Sequence, residues 1–291
     1  MVISSSETFS LVYYHQYGVK PGYNVSGGGT PPTPTLSGLE LGAPYSTAAS
    51  PGSLVWLDAG SAWGLSPTIS GAAGERWVAV AGANGTVAAT IAPDASYQHE
   101  YLVTVVSDPQ GSGALTPSQW VDSGGLLKVS EFPSAAWAFA GWHGSGQGSI
   151  SGANQSITLV VSAPIQETGD FNLQFVVLVN GGGNVVVSFD SNSYTVPSDT
   201  SFFLPPGTNV TMVAKPGVLD IFSGWQGAPL GQTSPVAMIL KTPLVLTAKF
   251  GINEVATFSL IVLICGVMVF LVASLTLRLM RRERPRKGLY G

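Results

Sequence analysis

The sequence predicts an all-β protein of three tandem small antiparallel β-modules followed by one C-terminal transmembrane helix. Composition is the first reason, because 36 glycines, 20 prolines and only 10% charged residues among 291 are typical of short strands joined by many turns. A recurring pattern of turn, strand, proline and tryptophan is the second reason. One long apolar run near the C-terminus is the third, and no soluble helix is predicted before it.

The repeat is clearest between residues 122–144 and 205–227, which align without a gap. Each copy has a turn glycine, a strand, a proline and a Phe-x-Gly-Trp segment, at Gly124 and Gly207, Pro133 and Pro216, Phe139 and Phe222, and Trp142 and Trp225. A looser copy runs from Asp58 to Trp77, and YYHQYGV at 13–19 matches YQHEYLV at 97–103. Agreement at this many spaced positions predicts a repeated structural unit.

We therefore predict module one at residues 1–96, module two at 97–168 and module three at 169–250, followed by a linker at 251–254. Alternating apolar residues indicate the strands within a module, as at Val210, Met212 and Ala214. The predicted core residues of the repeat are Trp77, Trp142, Trp225, Phe139 and Phe222. The glycine runs at 27–29 and 181–183 lack the lysine and following helix of a phosphate loop, so they predict hairpin turns.

Residues 255–277 are an uncharged and almost wholly apolar run. As a helix this run would span about 34 Å, against roughly 30 Å of membrane hydrocarbon. The alternative is the buried core helix of a soluble domain, but no other predicted helix is present to cover it. The run therefore predicts a single membrane span.

Six basic residues follow the span in a predicted cytoplasmic tail at 278–291: Arg278, Arg281, Arg282, Arg284, Arg286 and Lys287. Basic residues that flank a span stay on the cytoplasmic side. We therefore expect a single-pass protein of the cell membrane with its C-terminus inside and its repeat body extracellular. The basic cluster also suits anionic lipid headgroups. Residues 1–254 carry 6 basic and 15 acidic residues, an acidic balance that argues against a nucleic-acid partner.

Modules two and three resemble the divergent internalin-type bacterial repeat, whose pattern is a glycine turn, a Val/Thr strand, proline and then Phe-x-Gly-Trp. The module-one segments YYHQY, VWLDAGS and GERW are similar to repeats of archaeal cell-surface proteins, including the C-terminal repeat region of thermopsin-like secreted proteases. The resemblance covers most of residues 7–250. It implies an exported β-repeat protein that serves as a stalk, spacer or adhesive module, and a thermopsin catalytic region is not recognisable within it.

Two aspartates follow apolar strands and precede glycine turns, Asp58 in LVWLDAGSAWGL and Asp122 in WVDSGG. The lobes of an aspartic protease begin in the same way, and there two carboxylates pair. The repeat favours turn residues instead, because Pro205 takes the equivalent place in module three while Gly60, Gly124 and Gly207 keep the turn. Aspartate often begins such a turn by binding its own backbone. We expect no catalytic residue.

No cofactor or metal site is predicted. The single Cys265 excludes a multi-cysteine site and an intrachain disulfide. His15 and His99 recur at one strand position of different modules, and His143 has Gln226 as its counterpart, so the histidines predict polar strand residues rather than converging ligands. Recurrent tryptophans suit carbohydrate platforms as well as cores, but a repeated position favours the core.

Four Asn-x-Ser/Thr sequences, at Asn24, Asn84, Asn154 and Asn209, are candidate N-glycosylation sites on an extracellular body.

We expect a membrane-anchored cell-surface structural, stalk or adhesion protein. The alternatives are the membrane-proximal portion or subunit of a thermopsin-like surface protease, and a glycan-binding surface module. Residues 8–14, TFSLVYY, resemble the closing strands of the later modules, so we also expect an upstream segment or partner chain at the cell surface that supplies missing strands.

Overall fold

The computed structural model describes residues 10–282. It confirms the predicted fold class, because the described chain is built of β-strands in several sheets and ends in one long helix. Three residues of the predicted basic tail, Arg284, Arg286 and Lys287, lie outside the described residues. So do the first two residues of the predicted closing strand at 8–14.

The first nine strands are β1 Gln16–Val19, β2 Gly22–Ser26, β3 Thr35–Glu40, β4 Ala43–Ala48, β5 Val55–Asp58, β6 Ala62–Leu65, β7 Thr68–Ser70, β8 Glu75–Ala81 and β9 Asn84–Thr86. The next six are β10 Asp94–Asp108, β11 Gly113–Leu115, β12 Gln119–Asp122, β13 Leu126–Pro133, β14 Trp137–Ser145 and β15 Ser156–Val160. The last elements are β16 Ile165–Asn180, β17 Gly183–Phe189, β18 Asn192–Val196, β19 Thr200–Leu204, β20 Asn209–Pro216, β21 Asp220–Gln226, β22 Val236–Ile239, β23 Leu244–Ile252 and helix α1 Glu254–Arg282.

The chain divides into two compact units. The first holds the described residues up to Ser134 together with Phe139–Phe171, and the second holds Ala135–Ala138 and the residues from Asn172 onward. Buried side chains form three core clusters. The first cluster includes Leu57, Trp77 and Tyr97; the second, Val129, Trp142 and Leu159; the third, Val187, Met212 and Trp225. The first compact unit contains two of these clusters and the second contains one, and the division into three modules stays a prediction.

The residues predicted as module one show a strand arrangement that recurs in the residues of the other two predicted modules. Its opening strand β1 pairs antiparallel with β5, and Gln16 lies opposite Asp58. The next strand, β2, pairs in parallel with the first part of β10. On its other side this part of β10 pairs antiparallel with β8, where Trp77 lies opposite His99. The first part of β10 is therefore the closing strand of module one.

The same strand then opens module two. Glu100 of β10 lies opposite Asp122 of β12 in an antiparallel pair, and residues 103–108 pair in parallel with residues 165–170 of β16. β16 in turn pairs antiparallel with β19 and in parallel with β23. The predicted boundaries at 96/97 and 168/169 thus fall inside single strands, β10 and β16.

The parallel pairs differ from the sequence-based expectation of antiparallel modules. Most pairs are antiparallel, but β10 with β2, β16 with β10 and β23 with β16 are parallel. A closing strand can lie parallel to a strand near the start of its module because the intervening strands provide the long connection that parallel pairing requires. Alternation within one segment does not show which distant segment will pair with it.

The three predicted turns share one backbone hydrogen bond. In each turn the N–H of the fourth residue donates to the carbonyl of the first, at 3.1 Å from Ser61 to Asp58, 2.8 Å from Gly125 to Asp122 and 3.2 Å from Thr208 to Pro205. The third residue is glycine with φ of 79°, 80° and 90° at Gly60, Gly124 and Gly207. These are the features of a type II turn, which requires positive φ at its third residue.

A second hydrogen bond ties each turn to the last part of its module. The turn glycines donate to the carbonyls of Val87, Val161 and Leu240 at 2.8, 2.7 and 2.7 Å. Those three acceptor residues are almost fully buried. The repeated feature is therefore a backbone arrangement that closes each module, and it is compatible with either aspartate or proline at the first turn position.

The glycine runs at 27–29 and 181–183 are not hairpin turns, so that prediction is wrong. The strands on either side of each run pair with other strands rather than with each other. Glycine is needed there because the backbone passes close to aromatic rings. A Cβ at Gly29 would lie 2.8 Å from the Trp77 ring, and one at Gly183 would lie 2.7 Å from the Phe250 ring.

Helix α1 begins almost directly after β23. Of the predicted linker at 251–254, only Asn253 lies between the strand and the helix. Its side-chain Oδ1 accepts a hydrogen bond from the Ala256 N–H at 3.1 Å, which is the N-cap arrangement. The helix continues beyond the predicted span of 255–277 to Arg282, because leucine, methionine and arginine are all good helix formers.

Substitutions at Gly124 test the repeated turn. No heavy atom lies within 4 Å of a Cβ built at Gly124, so a new side chain has room and only the positive φ opposes it. We expect Gly124→Val to lower the free energy of unfolding by roughly 1–2 kcal/mol. Gly124→Asn should cost clearly less, because asparagine tolerates this backbone region. Thermal unfolding of both variants measures the difference, and equal losses would contradict a turn that requires positive φ.

Candidate functional site

Asp58 has the most elaborate polar contacts of the predicted turn residues. It ends β5 and is 8% exposed. One carboxylate oxygen accepts hydrogen bonds from Gln16 Nε2 at 3.0 Å and from the Leu41 N–H at 2.9 Å, and the other accepts from the Gly42 N–H at 2.7 Å. Asp58 therefore connects its own turn to the β3–β4 hairpin.

That hairpin turn explains why a carboxylate is useful at position 58. Leu41 has φ of 53° and Gly42 has φ of 78°, so both central residues are left-handed, as in a type I′ turn. Leucine is disfavoured in this region. The Asp58 carboxylate binds both turn N–H groups and stabilises the conformation.

The same contacts determine the charge of Asp58. Burial by itself raises the pKa of this carboxyl, but hydrogen bonds from Gly42, Gln16 and Leu41 favour the ionised form and hold its pKa below the ordinary value. An aspartic protease dyad needs two carboxyls that share a proton. Asp58 is instead surrounded by N–H donors, and Asp122 is exposed in the ladder of β12 with β10. The structure does not bring the two together as a dyad.

His99 belongs to a buried cluster that sequence reasoning missed. It is 1% exposed, and its Nε2 lies 2.9 Å from Glu75 Oε1 while its Nδ1 lies 3.2 Å from the Gly27 carbonyl oxygen. The imidazole stacks on Trp77 with 4.4 Å between ring centroids. The available signal was the spacing of Glu75 and Trp77, which alternation places on one face of β8.

The His99 cluster fastens the glycine-rich segment to the first core. Trp77 Nε1 donates to the Gly28 carbonyl at 3.3 Å, next to the contact between His99 and Gly27. His15 and His143 are exposed, so the three histidines occupy different surroundings. Within residues 10–282, no group of three or more His, Cys, Asp or Glu side chains is arranged to hold a metal ion.

The two Phe-x-Gly-Trp segments form matching aromatic pairs. Phe139 and Trp142 have ring centroids 5.2 Å apart, and Phe222 and Trp225 are 5.0 Å apart. Each indole N–H donates to a loop carbonyl at 2.9 Å, Trp142 to Asn154 and Trp225 to Thr233. Trp77, Trp142 and Trp225 are 2–5% exposed, so these rings are not available as stacking platforms for sugars.

Two further carboxyls, Glu131 and Glu167, are buried among the strands of the second core. They are 7% and 0% exposed, and burial raises the pKa of both. Glu167 Oε1 accepts a hydrogen bond from the Ile150 N–H at 2.9 Å, while Oε2 of each glutamate lacks a partner among the described residues. The signal available in the sequence was a charged residue at an inward position of an alternating strand.

A groove of about 460 Å³ lies in module one, lined by Ser37, Gly38, Leu39, Ala62, Trp63 and Gly64. None of these side chains ionises. The Ser37 hydroxyl donates to the Gly64 carbonyl at 3.1 Å, so it is held by the backbone. The groove supplies no acid, base or activated nucleophile.

The remaining predicted residues are the candidate glycosylation sites and the basic residues that flank the membrane helix. All four candidate glycosylation residues, Asn24, Asn84, Asn154 and Asn209, are exposed. The segment Glu254–Arg281 has a mean hydropathy of 2.9 in its most apolar window, and none of that window is buried against the rest of the protein. Arg278 and Arg281 lie in its last turns. The helix is long and apolar enough to cross a membrane.

We expect Asp58→Asn to destabilise the protein most near neutral pH. An amide cannot accept from both Gly42 and Leu41, because one of its two polar atoms is a donor. The contribution of the carboxylate is present above its unfolded pKa and is lost as the pH falls through its lower folded pKa. The effect should therefore shrink between about pH 7 and about pH 2. Asp122→Asn is the matched control and should change the melting temperature little at either pH.

Glu167→Gln should have the opposite pH dependence. A raised folded pKa means that the stability is present below the unfolded pKa and is lost as the pH rises through the folded pKa. Glutamine still accepts from Ile150 but does not ionise. The melting temperature of the variant minus that of the natural protein should therefore increase as the pH rises from about 3 to about 8. Glu131→Gln should behave alike, and a difference in melting temperature that is independent of pH would contradict a carboxyl whose pKa is raised by burial.

Comparisons with known proteins give only a distant structural likeness. No protein-family model matches the chain, and no curated protein matches it. The Bacillus anthracis TIE protein is 7% identical, with 80% of this chain and 51% of that one covered and a TM-score of 0.24. The open conformation of the pilus adhesin SpaC from Lactobacillus rhamnosus GG is 9% identical, with 81% and 43% covered and a TM-score of 0.19.

A streptococcal ancillary pilin is 9% identical, with 81% of this chain and 99% of that one covered and a TM-score of 0.18. The chain thus spans about half the length of the first two proteins. The structural neighbours are bacterial β-rich pilins and adhesins, and at these scores the likeness extends no further than β-rich architecture. The resemblance to internalin-type and thermopsin-like repeats stays a prediction.

Proposed function

We propose that this chain is a membrane-anchored structural protein of the cell surface, whose β-modules stand outside the cell on a single C-terminal span. The observation that carries the proposal is the direct connection of β23 to α1. The last strand of a repeated β-body passes through one capping residue, Asn253, into an apolar helix of 29 residues. A body attached in this way is held at the membrane surface.

The polar groups of the body support a structural role. Asp58 binds a hairpin turn, and His99 fastens the glycine-rich segment. Each is held inside a module by named contacts and is not directed into a cleft. The four exposed Asn-x-Ser/Thr sites suit a body that passes through a glycosylating pathway. The basic residues after the span favour a cytoplasmic C-terminus.

Protease protection tests the topology. Protease added to intact cells should remove the β-body, residues 1 to about 250, and leave a membrane-bound stub that contains α1, since only the body would be outside. Mass spectrometry of the membrane fraction identifies the stub. A fully protected body in intact cells would contradict the surface role.

A charge variant provides the control. Replacement of Arg278, Arg281, Arg282, Arg284, Arg286 and Lys287 by glutamine removes the positive flank without altering the β-body. If the flank sets the orientation, part of the variant population should become protected from external protease. Permeabilised cells should lose the body in both proteins, which shows that protection reports location rather than resistance to cleavage.

A further inference from the structure

Residues 11–14 are apolar and exposed. Leu11, Val12 and Tyr13 are 72%, 73% and 85% exposed, and Tyr14 is 46% exposed. Within the described part of the chain, residues 10–15 belong to no strand ladder. Such a segment directly before a paired strand presents an unpaired backbone that a partner strand can use.

The strand register shows what this segment corresponds to. Gln16 faces Asp58 as Glu100 faces Asp122, and the two turns that follow those aspartates have the same hydrogen bonds. Residues 10–15 are therefore equivalent to residues 94–99. In β10 those residues are the closing strand of module one, paired with β2 on one side and β8 on the other.

Burial at the equivalent positions is opposite. Leu11, Tyr13 and His15 are exposed, whereas Ala95 and Tyr97 are 0% and His99 is 1% exposed. The next junction gives the same result for the inward positions of β16, where Glu167 is 0% and Phe171 is 2% exposed and Gly169 is buried. Both later copies of this segment are thus inserted into a core.

His15, the last residue of the segment, already has the contacts of its counterpart His99 in β10. The carbonyl of His15 accepts from the Ala59 N–H at 2.7 Å, as that of His99 accepts from Ser123 at 2.9 Å. His15 lies over Tyr17 with ring centroids 4.6 Å apart and an interplanar angle of 52°. His99 and Tyr101 have values of 4.5 Å and 52°.

We propose that residues 10–15 are the closing strand of a further β-module of this repeat type, one that lacks a closing strand of its own. The segment would pair in parallel with the strand of that module that corresponds to β2, and it would place Leu11, Tyr13 and His15 in the core of that module. This proposal rests on the proposed function in that it adds a neighbouring module to a structural array. The strand register that carries it does not depend on the membrane.

The side chains indicate what kind of module receives the segment. Tyr13 and His15 match Tyr97 and His99. Tyr97 donates its hydroxyl hydrogen to the Ser66 carbonyl at 2.6 Å, and His99 contacts Glu75 and stacks on Trp77. The receiving module therefore resembles module one, with a carboxylate and a tryptophan two residues apart on the strand next to the insertion.

A second folded copy of the described chain does not provide this place. The closing position of module one is filled by β10, that of module two by β16 and that of module three by β23. The partner is accordingly a module whose closing position is open. This excludes simple self-association of complete modules and defines the probe for a test.

The probe is a tandem protein in detergent micelles. In it a second copy of residues 16–93 is joined directly to Ser10, and the rest of the chain follows. This added copy lacks residues 94–99, so residues 10–15 are the strand available to close it. We expect amide hydrogen exchange at residues 11–15 to slow by roughly 100-fold or more relative to the parent chain. The same tandem chain with Tyr13→Asp and His15→Asp should lose that protection while the original modules keep theirs.

A second tandem chain, in which residues 94–99 replace 10–15 after the added copy, shows whether that copy can fold. The proposal is overturned if the amides of the added copy are protected from exchange in this second chain but not in the chain with residues 10–15. It is also overturned if the added copy folds in the first tandem chain while residues 11–15 exchange as fast as they do in the parent chain. Because exchange in micelles does not report topology, failure here is distinct from failure of the surface role.

Discussion

The strand β10 carries the constraint on which the rest of the first compact unit depends, because it closes one core and opens the next. Ala95 and Tyr97 are buried in the first core cluster, and Val103 and Val105 are buried in the second. All four positions are odd, so side-chain alternation places them on one face of a single strand. A slip of one residue would turn every one of them away from its core. The register of one module is therefore coupled to the register of its neighbour, and a module boundary cannot be placed in a flexible linker.

The turns show how such a repeat can be kept while its side chains vary. Type II geometry at Gly60, Gly124 and Gly207 is held by backbone hydrogen bonds to the buried ends of the modules. The first turn position therefore accepts proline as well as aspartate. Asp58 also stabilises a second turn, because its carboxylate binds the N–H groups of a left-handed hairpin turn. The resemblance to a protease lobe comes from this repeated turn, because in both cases an apolar strand is followed by a turn that contains glycine.

The buried polar groups of the described body fall into two electrostatic classes. Asp58 receives several N–H donors, which hold its pKa below the ordinary value, whereas Glu131 and Glu167 are desolvated with few donors and have raised pKa values. Their effects on stability oppose each other as the pH changes. His99 is held between a carboxylate and a carbonyl oxygen on the face of Trp77. All of these contacts lie inside modules, as expected for groups that stabilise a structural body.

The sequence by itself determined the β class, the repeated turn and the apolar helix, because composition, alternation and a long apolar run are local signals. It correctly placed Val210, Met212 and Ala214 on one buried face. Only the tertiary structure decided the parallel closing strands, the binding of Leu41 and Gly42 by Asp58, and the cluster of His99 with Glu75 and Trp77. Each of these joins segments that are far apart in the chain, and the pattern within one segment does not specify its distant partner. The sequence predicts a closing strand at residues 8–14, and this stays a prediction. Only the burial pattern of β10 and β16 shows which positions of such a strand face inward.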